Sequence, residues 1–140
     1  MTESPFLYRH RVVYADCTLG NHVYYARFLE VLEAARGAFF RMLGTTLLDW
    51  QTRGWMFPVI EAQLRYRTLA RYDDLLLVEV RVTRAERVRL NFAYRIVNQS
   101  NDIVLEGETL HVCMTVDEKM KRLPEELVIM LKPHLDPGQL

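Results

Sequence analysis

Asp16-Cys17-Thr18-Leu19-Gly20-Asn21-His22-Val23-Tyr24-Tyr25-Ala26-Arg27-Phe28 is a polar, turn-forming loop that runs straight into an apolar segment. Gly20 and Asn21 tolerate positive φ, so the chain can reverse sharply there. Further on, Phe28, Leu32, Ala35, Phe39 and Leu43 recur at three- or four-residue steps, the period of a helix. The spacing predicts a helix from about Val23 to Leu43, with Gly44 as its C-terminal stop. It is apolar on more than one face, so it should be largely enclosed. A loop-to-helix junction of this kind aims free backbone N–H groups and the positive end of the helix dipole at one point. Such a point suits a phosphate, a carboxylate or a developing oxyanion. Asp16, Cys17, Thr18, Asn21 and His22 crowd it, so the loop reads as an active site.

On either side of this junction the pattern is that of strands. Residues 7–14 mix apolar and basic side chains and read as a first strand. Residues 45–56 read as a short helix or loop that carries Trp50 and Trp55. After Pro58 the period changes to two: Ile60, Ala62, Leu64 and Tyr66 alternate with Glu61, Gln63 and Arg65. Leu75 to Arg84 is a second run. Val88, Leu90, Phe92, Tyr94 and Ile96 form a third, alternating with Arg87, Arg89, Asn91, Ala93 and Arg95. Asn98 to Asp102 is a turn cluster. Ile103 to Val116 is the last long strand, and Pro124-Glu125-Glu126 opens a short helix. One strand, a long helix and four strands joined by short turns should form an antiparallel sheet with one face on the helix. The fold class is α+β, a curved five-stranded sheet wrapped around one central helix, in a single domain over residues 1–140.

Composition narrows the function. The chain has 140 residues, 18 basic and 18 acidic, half of them hydrophobic and 26% charged. Zero formal net charge argues against nucleic-acid binding by bulk charge. Met1-Thr2-Glu3-Ser4-Pro5 has no basic start and no apolar run, so no secretory signal is expected. No apolar stretch is long enough to span a bilayer. Cys17 and Cys113 make no disulfide framework, so the expected location is cytoplasmic. His10, His22, His111 and the cysteines show no metal-ligand spacing. No glycine-rich phosphate loop, nucleophile elbow or dinucleotide fingerprint is present, and no cofactor is expected.

The order of elements and the loop at the helix start resemble the hotdog fold, and more narrowly the 4-hydroxybenzoyl-CoA thioesterase family. That family's loop reads Asp-Thr-Asp, two variable residues, a small residue, then His-Val or a similar pair. Here Asp16-Cys17-Thr18 stands at the triplet. His22-Val23, Ala26-Arg27-Phe28 and Glu33-Ala34-Ala35-Arg36 fit, as do Phe57 to Ala62, Ala70 to Asp74, Glu106-Gly107-Glu108 and Arg122-Leu123-Pro124. The resemblance covers roughly residues 7–127. It implies hydrolysis of an acyl-CoA thioester. The same chemistry on an acyl carrier protein, or a non-catalytic acyl-binding module, are the alternatives. It also implies a homodimer or homotetramer, with sheets joined edge to edge and sites between subunits.

One departure bears on mechanism. The second Asp of the family triplet is the usual catalytic carboxylate, and Thr18 stands in its place. A threonine hydroxyl is no general base near neutral pH unless a neighbour deprotonates it. Related thioesterases of enediyne polyketide assembly also lack this carboxylate; they use Asn there together with a helix Arg, and Arg36 falls at the matching position. Thr18 either caps the loop or holds a water or the thioester. Asp16 is either a displaced base or a clamp on loop N–H groups. His22 either does acid/base work or bonds loop backbone. Tyr24 and Tyr25 matter through their N–H groups. Arg36 pairs with Glu33, three residues away, or serves the site or an interface. No motif pairs Cys17 with a base. Arg87, Arg89 and Arg95 form a row on one strand face, and the resemblance makes Arg87 and Arg89 candidates for the coenzyme A phosphates.

Overall fold

The computed structural model describes residues 5–136. Residues 1–4, most of the stretch read above as lacking a secretory signal, lie outside them. The elements are β1 (Phe6–Arg11), β2 (Cys17–Thr18), β3 (His22–Val23), α1 (Arg27–Met42), α2 (Leu47–Thr52), β4 (Val59–Tyr66), β5 (Leu75–Glu86), β6 (Arg89–Val97), β7 (Ile103–Val112) and α3 (Glu125–Leu131). Five strands form one antiparallel sheet in the order β1-β5-β6-β7-β4. Register shifts between Val82 and Arg84, Val59 and Glu61, and Ile96 and Val97 are places where such a sheet bends.

Helix α1 lies on one face of the sheet. Its buried residues are Phe28, Val31, Leu32, Ala35, Arg36, Phe39 and Phe40, an unbroken stripe at helical spacing. They meet the inward set Leu76, Val78, Val80, Val82, Leu90, Phe92, Tyr94 and Ile96 in one core. Phe39 packs edge-on against Phe6, Phe40 and Phe92. The opposite flank of α1 is open: Leu29 and Met42 are about half exposed, and Glu30, Glu33 and Ala34 are exposed. The expectation of a largely enclosed helix therefore fails for one chain, because a single sheet covers one side only.

Two boundaries also differ. The first strand stops at Arg11, because Tyr14–Asp16 coils into a 3-10 turn with Val13 N held by Asp16 Oδ2 at 3.0 Å. The helix starts at Arg27 and not at Val23, because His22 and Val23 are extended and pair with Thr18 and Cys17. The small β2–β3 ribbon had no sequence expectation. The other strands and α3 fall within a few residues of the sequence reading, although β7 ends at Val112 and only Met114 continues as isolated bridges. Among the described residues, no helix is long and apolar enough to cross a membrane.

Candidate active site

The β2–β3 ribbon turns through Gly20 (φ 95°) and Asn21 (φ 63°), as the residue types require. It is stitched to the segment before β5: Val23 N donates to Ala70 O at 2.9 Å, and Tyr72 N donates to Asn21 Oδ1 at 3.0 Å. Asp16 is the clamp beneath it. It is 6% exposed. Its Oδ2 accepts from Val13 N at 3.0 Å and from His10 Nε2 at 2.8 Å, and Arg27 Nε lies 3.7 Å from Oδ1. The backbone carbonyl of Asp16 takes the Tyr24 N–H at 2.9 Å. Tyr24 is thereby removed from the donors left for a substrate. Tyr25 N has no backbone acceptor among the described residues, and the exposed rings of Tyr24 and Tyr25 lean on each other. The Thr18 hydroxyl is exposed and makes only long bonds, 3.3 Å to Leu19 O and to His22 O. His22 is half-buried beside it.

Arg36 stands apart from this loop. It lies nine residues beyond Arg27, about 13 Å along the helix axis. It does not pair with Glu33, which points to the open flank. Instead Arg36 Nη1 donates to Tyr94 Oη at 3.1 Å. Tyr94 Oη is 2.6 Å from Thr109 Oγ1, which is 2.8 Å from His111 Nε2, and His111 Nδ1 is 3.0 Å from Phe57 O. All four side chains are buried. Burial pushes the His111 pKa down to about 4 against the pull of the Phe57 carbonyl, and the Arg36 charge adds to the lowering. Burial also raises that of Tyr94, so both are neutral near pH 7.

Arg87 and Arg89 are elsewhere. Arg87 sits in the β5–β6 turn with φ 54° and not in the strand, so the expected row on one face is broken there. Arg89 opens β6 opposite Glu86. The loop is tied to the start of β5 and these arginines to its end, and the 12 residues of β5 span roughly 36 Å. Within one chain they cannot share a site.

A family model described as the thioesterase-like superfamily matches residues 12–131. The chain belongs to that superfamily. It is 33% identical over 124 residues to the acyl-CoA thioesterase YbgC of Haemophilus influenzae, with 86% of this chain and 88% of that protein covered. It is 30% identical over 133 residues to the acyl-CoA thioester hydrolase YbgC of Escherichia coli, covering 94% of this chain and 99% of that protein. Its backbone matches a 1,4-dihydroxy-2-naphthoyl-CoA thioesterase from Synechocystis with a TM-score of 0.85 at 24% identity, over 91% of this chain and 95% of that one, which is a likeness of fold. The fold is the hotdog fold, as the loop and element order led us to expect.

The part of this thioesterase-like chain that sequence reasoning missed is Tyr94, Thr109 and His111. The signal was present. Arg36 occupies a position of the apolar helical stripe, and Tyr94 occupies the apolar phase of its strand. A polar residue at a core phase needs a partner, and only the register of β6 on β7, with Phe92 opposite Thr109 and Leu90 opposite His111, supplies it.

Proposed function

We infer that this protein hydrolyses acyl-CoA thioesters to the free acid and coenzyme A. The observation that carries the reading is its membership of the thioesterase-like superfamily over most of its length, with acyl-CoA thioesterases among relatives of 30% identity or more. The site is of the 4-hydroxybenzoyl-CoA thioesterase type with Thr18 at the place of the usual carboxylate. The thioester oxygen rests on the Tyr25 N–H of one chain and, because Arg36 lies about 13 Å along the same helix from that loop, on Arg36 of a second copy. Water held by Thr18 and His22 attacks the carbonyl carbon. The C–S bond then breaks, and the proton lost by the water ends on the departing thiolate. Asp16 already serves His10, Val13 and Arg27, which favours a clamp over a base. With Asp16 engaged in this way and Thr18 no base, rate comes from polarising the carbonyl and placing the water.

The working unit is an oligomer, a homodimer or homotetramer. Strand β4 is a free sheet edge, and Val59, Ile60 and Tyr66 on it are about half exposed. An apolar edge of this kind invites a second copy. A partner is also the means by which Arg87 and Arg89, distant from the loop of their own chain, come within reach of the coenzyme A phosphates at another. Two free cysteines suit a reducing, cytoplasmic location.

The test is thiol release from a panel of aliphatic and aromatic acyl-CoAs, with the same acyl groups on a carrier protein in parallel. Turnover of acyl-CoA is expected. Turnover only on the carrier would transfer the activity to that substrate, and binding without release on either would make the protein an acyl-binding module.

A further inference from the structure

Arg36 is a buried cation with no carboxylate: no acidic side chain lies within 4.0 Å of it among the described residues, and its one side-chain partner is Tyr94. Burying a charge without a counter-ion is costly, and such a group is kept where its charge or its donors are used. Its nitrogens are absent from the buried polar atoms that lack a partner, so the 9% of surface that Arg36 keeps includes guanidinium N–H. Beside the residues behind Arg36, Ala62 of β4, the register neighbour of Thr109, is exposed.

The bonds behind Arg36 run one way only. An arginine can only donate, and a backbone carbonyl can only accept. Starting from Phe57 O, His111 Nδ1 must carry the proton. A neutral His111 then accepts at Nε2, so the Thr109 hydroxyl donates to it. Thr109 Oγ1 in turn accepts from the Tyr94 O–H, and Tyr94 Oη accepts from Arg36 Nη1. Both ends fix every proton between them, and each hydrogen bond polarises the next. The rings cannot swing, because Phe92 packs against Tyr94 at 6.4 Å and against His111 at 5.4 Å between centroids. One end of a long, flexible side chain is thus pinned, which orients the rest of its planar fork.

We propose that Tyr94, Thr109 and His111 are positioning residues that act through Arg36, holding its guanidinium aimed at the thioester by a one-way chain anchored on Phe57 O. The proposal rests on the reading that Arg36 touches the substrate. A preorganised donor of this kind acts on the charge that develops in the transition state, so its loss lowers kcat more than it raises KM.

Steady-state hydrolysis of the best acyl-CoA by the intact protein tests this. Tyr94→Phe and Thr109→Val each delete one link with almost no change of volume. Both should lower kcat roughly ten- to hundredfold, the scale of a misplaced group, with KM held within about twofold. Thr109→Ser, which restores the hydroxyl, should recover most of the rate. In an Arg36→Ala background Tyr94→Phe should cost nothing further. Full kcat in a folded Tyr94→Phe, or an equal loss with and without Arg36, overturns the proposal and leaves the role of Arg36 standing. Full kcat in Arg36→Ala removes that role and the proposal with it. A measurement on the wild type needs no variant: long-range 1H–15N NMR near pH 7 should find His111 neutral and protonated at Nδ1. Protonation at Nε2 would break the chain and overturn the proposal.

Discussion

Asp16 and Thr18 sit two residues apart and do different work. Asp16 is buried and accepts from a backbone N–H and from His10, whereas the Thr18 hydroxyl is exposed and weakly held. Asp16→Asn keeps the shape and removes the charge. Hydrogen bonds to a charged group contribute about 1.5–3 kcal/mol, so urea unfolding should reveal a loss of that order, while kcat falls less than tenfold. A folded Asp16→Asn protein with no turnover would make Asp16 the base. If Thr18 lies beside the reacting carbonyl, Thr18→Asp supplies a general base, a group that contributes about 10²–10⁴ in rate, and kcat should rise; an unchanged or lower kcat counts against that placement. His111 contributes a pH dependence to stability. Its pKa is near 4 when folded against an ordinary 6.5. The unfolded chain therefore binds the extra proton first, and stability is full above about pH 6.5 and is lost as pH falls toward 4. At about 1.4 kcal/mol per pH unit, the loss from this residue approaches about 3 kcal/mol. Denaturant midpoints across this range should fall in the wild type and fall much less in His111→Asn.

At the scale of elements, the contact that decides packing is β7 on β4. Gly107 lies opposite Leu64 on one side and Tyr94 on the other. A Cβ there would stand 2.5 Å from Gln63 O and 2.8 Å from Leu64 Cδ2, and the backbone oxygen cannot step aside. Gly107→Ala should cost about 1–3 kcal/mol, the usual range for overpacking. Because β4 carries the exposed edge, the same change should weaken self-association; thermal unfolding with sedimentation reads both. Helix α1 was legible because its apolar residues keep one period through to Phe40. Its start was not, since Val23 fits the helical phase equally well. Pairing with Cys17 and a hydrogen bond to Ala70 hold Val23 extended, and both partners are set by tertiary contacts. Arg87 was misread as a strand residue for a similar reason. The alternation continues through the β5–β6 turn, and periodicity does not reveal where a hairpin reverses.

For the whole molecule, one helix on one face leaves β4 and the outer flank of α1 uncovered. Light scattering at micromolar concentration should report at least a dimer, and a stable monomer would remove that arrangement. If a second chain brings Arg87 and Arg89 to the coenzyme A phosphates, Arg87→Ala with Arg89→Ala should raise KM for acyl-CoA and leave kcat nearly unchanged. Added salt should imitate the effect, and an unaltered KM returns both arginines to ordinary surface. The sequence by itself determined the α+β class, the identity of five strands and of α1 and α3 to within a few residues, and the loop before α1, whereas residues 45–56 read equally as a short helix or a loop. These follow from periodicity and turn chemistry, which are local. Only the tertiary structure decided that the Asp16 carboxylate is spent on His10 and Val13, that the Tyr24 N–H is taken, and that Arg36 rests on Tyr94, Thr109 and His111. A hydrogen-bond partner 58 or 15 residues away is chosen by strand register and helix rotation, and no local pattern encodes either.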